Sequence, residues 1–157
     1  PGKVFFVNGE GDVEKSIAEL TRAIKEEPID LGLIGIGENG HIAFNDPPAD
    51  FETKEAFKVV ELDEKCKNQQ VREGWFPSIA DVPTRAISMT VSQIMQSKVI
   101  VSAVPYEVKA KAVKLTLENE VTNMIPATIL KEHPDAMVFI DEKSASLTSK
   151  ELLIKFS

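Results

Sequence analysis

Asn39, His41 and Asp46 fall within eight residues of one another. They lie in a loop that opens Gly35-Ile36-Gly37-Glu38-Asn39-Gly40-His41 and leaves through Pro47-Pro48. An imidazole titrates near neutrality and is the usual proton shuttle. A neighbouring carboxylate or amide can orient the ring and fix its tautomer. Gly35, Gly37 and Gly40 let the backbone approach a ligand closely. The set therefore fits acid–base chemistry on a small molecule. Residue types alone do not settle it, because a single loop histidine is more often a hydrogen-bonding or surface residue, and Asn-Gly is a common turn. The second histidine, His133, sits in Glu132-His133-Pro134 at an expected helix end and reads as structural.

Two other chemistries fit less well. Glu38, His41 and Asp46 could ligate a metal, but no second histidine is nearby and no i, i+4 pair is present, so no metal is expected. The glycines spell G-x-G-x-x-G, as in dinucleotide-binding loops, but Pro47-Pro48 would stop the helix whose N-terminus cradles a pyrophosphate.

The elements that must position this loop alternate along the chain. Apolar Val13, Ile17, Leu20 and Ile24 recur at helical spacing between Asp12, a fair N-cap, and Pro28. Residues 31–36 are apolar on both faces, as in a central parallel strand, and run straight into the glycine loop. Further strands are expected over 4–7, 58–62, 85–90, 99–104 and 136–140, and helices over 63–73, 91–97, 108–117 and 128–132. Residues 150–156 could be helix or strand, with helix preferred. This alternation reads as α/β with a largely parallel sheet, in which ligands bind beyond the carboxyl ends of the strands. No repeat, low-complexity tract or linker divides residues 1–157, which read as one domain.

Composition narrows the partners. The 157 residues carry a formal net charge of −7. That argues against nucleic acid or a membrane surface, since both need clustered Lys and Arg, but leaves room for a small anion held in a cleft. The single cysteine, Cys66, excludes an intramolecular disulfide and suits a reducing compartment. It reads as an ordinary helix thiol. No apolar run approaches the length of a membrane span.

Gly37-x-x-Gly40-His41-Ile42-Ala43-Phe44-Asn45-Asp46-Pro47 resembles the signature of the glucosamine-6-phosphate deaminase (isomerase) family. Further matches follow in order: Asp81-Val82-Pro83, Val108-Lys109-Ala110-x-Ala112, and His133-Pro134-x-Ala136 leading to Asp141. The resemblance covers about Val4 to Ile140. It implies a three-layer Rossmann-like sandwich and a cytoplasmic enzyme, homo-oligomeric at full length, that needs no cofactor. That enzyme would convert glucosamine 6-phosphate to fructose 6-phosphate and ammonia. Related readings are a galactosamine-6-phosphate isomerase, a 6-phosphogluconolactonase-like hydrolase or, in another class, a non-catalytic sugar-phosphate sensor. The lactonase branch usually continues Gly-His with Thr-Ala-Ser, whereas this chain has Ile42-Ala43-Phe44.

Carried onto this chain, the resemblance makes His41 the acid/base that opens the sugar ring, with Asn39 and Asp46 in the positions of its acidic partners. Gly37 and Gly40 shape the substrate loop, and Lys109 takes the position of a phosphate-binding lysine. Gln70 stands where a phosphate-binding arginine is usual, with Arg72 two residues away. Asn39 replaces an aspartate and Asp46 a glutamate; an amide can orient an imidazole but cannot stabilise imidazolium by charge. The resemblance also implies an N-terminal portion before Val4 carrying a phosphate loop and a proton-transfer aspartate. On that reading, residues 1–157 are the C-terminal part of a larger domain.

Overall fold

The computed structural model describes residues 3–155. Helix α1 (Val13–Glu26) starts where Asp12 caps it, its carboxylate accepting from the Lys15 N–H at 3.0 Å. A cap of this kind is worth about 1 kcal/mol. Strand β1 (Leu31–Ile34) follows, then β2 (Phe57–Glu61), α2 (Glu64–Arg72), β3 (Arg85–Met89), α3 (Val91–Ile94) and β4 (Val99–Val104). The chain continues through α4 (Ala110–Glu118), a 3₁₀ stretch Pro126–Glu132, β5 (Ala136–Ile140) and α5 (Lys150–Lys155). The expected helix at the C-terminus is present over its described part; Phe156 lies outside the described residues. The expected helix over 108–117 begins as a 3₁₀ turn at Glu107–Lys109, and the one expected over 128–132 is 3₁₀ throughout, from Pro126 to Glu132.

Three strands form a parallel sheet in the order β1-β4-β5, with Leu31 opposite Val99 and Ile100 opposite Ala136. Parallel pairing puts all three carboxyl ends on one edge. There Ile34 enters the glycine loop, Val104 leads to Lys109, and Ile140 leads to Asp141. Strands β2 and β3 pair antiparallel as a separate ribbon, covered by α1 through Ile17, Leu20 and Ile24 against Phe57 and Ile87.

The main core lies on one face of the parallel sheet. Ile36, Ile42, Val91, Ile94, Ile100, Val104, Val113 and Leu130 pack there, joined by partly buried Ile34 and Ile140. The opposite face carries Leu31, Leu33, Met137 and Phe139, with Leu33 73% and Phe139 59% exposed. Among the described residues, two of the sandwich's three layers are therefore present.

Two strand readings differ from the sequence. Among the described residues, strand β1 pairs only with β4 and is an edge strand, with Leu31 and Leu33 exposed on its outer face. Val4-Phe5-Phe6-Val7 forms no strand: all four are exposed, and no described strand pairs with them. β-propensity without a pairing partner leaves extended chain.

Candidate active site

The glycine loop leaves β1 at the carboxyl edge and folds back on itself. The Gly37 N–H donates to His41 O at 2.9 Å and the Gly40 N–H to Gly37 O at 3.0 Å. Gly40 has φ +84°, a left-handed conformation that side chains disfavour. Its carbonyl accepts from the Ala127 N–H at 2.8 Å, docking the loop on the start of the 3₁₀ stretch. Gly37 has a different role. A Cβ there would overlap the Cε1–Nε2–Cδ2 edge of the His41 ring, so the imidazole occupies the space a side chain would take.

His41 is 9% exposed. Its Nδ1 lies 3.0 Å from Asp46 Oδ1. The carboxylate sits off the line of the ring N–H, which makes the contact electrostatic more than a directed hydrogen bond. Nε2 takes no hydrogen bond from any described residue and is the ring atom available to a ligand. Asn39 was expected to orient the imidazole, and the structure corrects this. Its side-chain Oδ1 accepts from the His41 backbone N–H at 3.1 Å, and its Nδ2 donates to Asp46 Oδ1 at 2.9 Å. Asn39 therefore holds the carboxylate and the backbone, and the carboxylate meets the ring.

Burial works to keep Asp46 protonated, but the contact with His41, the Asn39 hydrogen bond and the positive charge His41 can carry outweigh it. The carboxyl is held below its ordinary value of 3.8. Its second oxygen, Oδ2, is buried with no hydrogen-bond partner among the described residues. An ionised acceptor with a free oxygen, beside an imidazole with a free nitrogen, can pass a proton to and from a bound hydroxyl.

Residues 2–139 match the family described as glucosamine-6-phosphate isomerases/6-phosphogluconolactonase. The chain belongs to that family. It is 43% identical over 149 residues to a glucosamine-6-phosphate deaminase of Lactococcus lactis subsp. cremoris, covering 93% of this chain and 61% of that protein. An Enterococcus faecalis glucosamine-6-phosphate deaminase is 40% identical over 147 residues, covering 92% and 60%. Among solved structures, a monomeric glucosamine-6-phosphate deaminase superposes with TM-score 0.83 at 36% identity, over 90% of this chain and 58% of that one. The 6-phosphogluconolactonase of Trypanosoma brucei shares the fold, with TM-score 0.64 at 14% identity over 87% and 54%. The chain spans about three-fifths of the length of the curated relatives it matches.

Within this family member, the other expected residues divide. Lys109 closes the 3₁₀ turn after β4, on the same sheet edge as the loop, but no hydrogen bond or ion pair joins it to His41, Asn39 or Asp46. Its turn is anchored by Asp141, whose Oδ2 accepts from the Tyr106 N–H at 3.1 Å and Oδ1 from the Ser144 N–H at 2.7 Å. These backbone donors hold the Asp141 carboxyl below its ordinary value. Arg72, at the end of α2, reaches the loop directly and forms an ion pair with Glu38. Gln70 makes no side-chain hydrogen bond among the described residues.

His133 is buried and structural, as read from the sequence. Its Nε2 lies 2.8 Å from Ser97 O, and its Nδ1 accepts from the Asp135 N–H at 3.1 Å. Cys66 is a buried helix thiol. Burial, then the negative charge of Asp46, Asp63 and Glu73, push it up to about 11.

Sequence reasoning missed Asn45 and Ser88. In the sequence Asn45 is one residue of the loop signature and Ser88 one residue of the strand expected over 85–90. The available signal was a serine on the inward register of β3, between Ile87 and Met89.

Proposed function

We propose that the protein carrying this chain opens and isomerises an amino-sugar phosphate, releasing ammonia, with glucosamine 6-phosphate as the substrate. The observation that carries this is the His41–Asp46 pair at the carboxyl edge of the parallel sheet, with Nδ1 against the carboxylate and Nε2 free. His41 Nε2 takes the proton of the anomeric hydroxyl as the C1–ring-oxygen bond breaks, and the imidazolium so formed returns that proton to the ring oxygen. The open-chain aldehyde results. Asp46 stabilises the imidazolium formed in between, and Asn39 holds Asp46. Gly37 and Gly40 give the loop the shape that leaves Nε2 accessible.

Lys109 and Arg72 are the candidate phosphate ligands. Lys109 presents an ammonium with no carboxylate partner among the described residues, suited to a phosphate dianion. Arg72 must leave Glu38, or hold the substrate from beside it. The later proton transfer between C2 and C1, and with it complete turnover, is assigned to the full-length protein, in which residues 1–157 form the C-terminal part of one domain. We place this reaction in the cytoplasm and the full-length protein in a homo-oligomer; elution as a monomer on sizing would overturn the latter. Among the described residues, no helix is long and apolar enough to cross a membrane.

The test is incubation of the full-length protein with glucosamine 6-phosphate, galactosamine 6-phosphate and 6-phosphogluconolactone in parallel. Ammonia and fructose 6-phosphate from the first support the proposal. Preferential lactone hydrolysis, or a ligand-induced rise in melting temperature without turnover, would replace it with the lactonase or the sensor reading.

A further inference from the structure

The turn between His41 and Asp46 is strained and clamped from outside. Ala43 has φ +52°, the left-handed region that a residue with a Cβ occupies at a cost of about 1 kcal/mol. The Asn45 N–H closes the turn on Ile42 O at 3.1 Å. The Asn45 side chain, 3% exposed, then ties it down: Nδ2 donates to Ile42 O at 2.9 Å and to Met89 O at 2.8 Å. Ser88 Oγ accepts from the Phe44 N–H at 3.1 Å, lies 3.3 Å from Asn45 Nδ2, and donates to Met89 O at 3.0 Å. One amide and one hydroxyl thus join the turn to β3, an element of the other sheet.

We propose that Asn45 and Ser88 are positioning residues that hold Asp46 against His41 by clamping the intervening turn to β3. The inference rests on the reading of His41–Asp46 as the reacting pair, but the clamp itself is a geometric claim that can be measured without turnover. Asp46 follows Asn45 directly, so a turn released from β3 lets the carboxylate swing away from Nδ1. The remaining surroundings of Asp46 would stay in place: Asn39 and His41 on the loop, and the neutral thiol of Cys66 on α2.

The experiment is an NMR titration of the Asp46 side-chain carboxyl in the full-length protein and in its Ser88→Ala, Asn45→Ala and Val113→Ala variants. In the wild type the carboxyl is expected to titrate below its ordinary value. Both clamp variants are expected to move it up toward that value while the rest of the spectrum stays native. Val113→Ala, a core truncation, is expected to lower the melting temperature and leave the Asp46 titration in place. An unchanged titration in a folded Ser88→Ala protein overturns the proposal, whatever its effect on stability. Where the alanine variants do not fold, the wild type decides. Slow exchange of the Asn45 side-chain amide protons supports the clamp, and exchange at the rate of a solvent-exposed amide overturns it. Retention of turnover by His41→Ala would instead remove the catalytic reading and leave the clamp measurement untouched.

Discussion

The Asn39 amide donates to Asp46 Oδ1 at 2.9 Å, the same oxygen that lies 3.0 Å from His41 Nδ1. Replacing Asn39 therefore acts on the carboxylate first. Asn39→Ala removes one stabilising donor, and the Asp46 carboxyl should titrate somewhat higher. Asn39→Asp sets a second carboxylate beside the first, and like charge should raise it further. Carboxyl titration by NMR checks the order wild type, Ala, Asp; an Asn39→Asp protein with Asp46 at or below the wild-type value would contradict this geometry.

Acid should weaken the fold through the same group. The folded Asp46 carboxyl titrates below 3.8, so around and below that pH the unfolded chain binds the proton more readily. The stabilisation from ionised Asp46 is present above about pH 4 and lost as pH falls through the lowered folded value. Asp46→Asn removes this dependence. Melting temperature followed from pH 6 to pH 2.5 should fall less steeply in Asp46→Asn than in the wild type, and parallel curves would refute the assignment.

Two glycines two residues apart give a paired test. A Cβ on Gly37 overlaps the His41 ring, whereas one on Gly35 meets nothing within 4 Å. Gly37→Ala should cost about 1–3 kcal/mol in stability and shift the His41 ring resonances, as overpacking does. Gly35→Ala should leave both nearly unchanged. Equal effects at the two positions would show that the ring does not pack where the structure puts it.

The Cys66 thiol should be unreactive in the folded chain. It is 2% exposed and is pushed up from 9.0 to about 11, which at pH 8 lowers the thiolate fraction about a hundredfold. Labelling with a thiol reagent should be at least that much slower in the native protein than in denaturant. Similar rates would mean that α2 does not pack as described.

The loop was legible because its chemistry is written in consecutive residues. His41, Asp46 and the glycines that admit them lie within one short stretch, and the strand before it is apolar. The regular elements were legible for the same local reason: Asp12 capping α1, and the β-branched run of β4. What escaped was non-local. That Asn39 grips a carboxylate instead of the imidazole depends on how the turn 42–45 closes. That turn depends on Ser88, more than forty residues away on a strand of the other sheet. The edge position of β1 and the unpaired Val4-Phe5-Phe6-Val7 are likewise set by which strands are available to pair, and hydropathy does not encode that.

We propose that opening of the sugar ring depends on a proton moved by His41 Nε2. It is tested most directly by steady-state release of ammonia and fructose 6-phosphate from glucosamine 6-phosphate by full-length wild type and His41→Ala, with both melting temperatures measured. Loss of a general acid–base group should lower kcat by about a hundredfold or more while the melting temperature stays within a few degrees. Wild-type turnover in a folded His41→Ala protein would contradict the account.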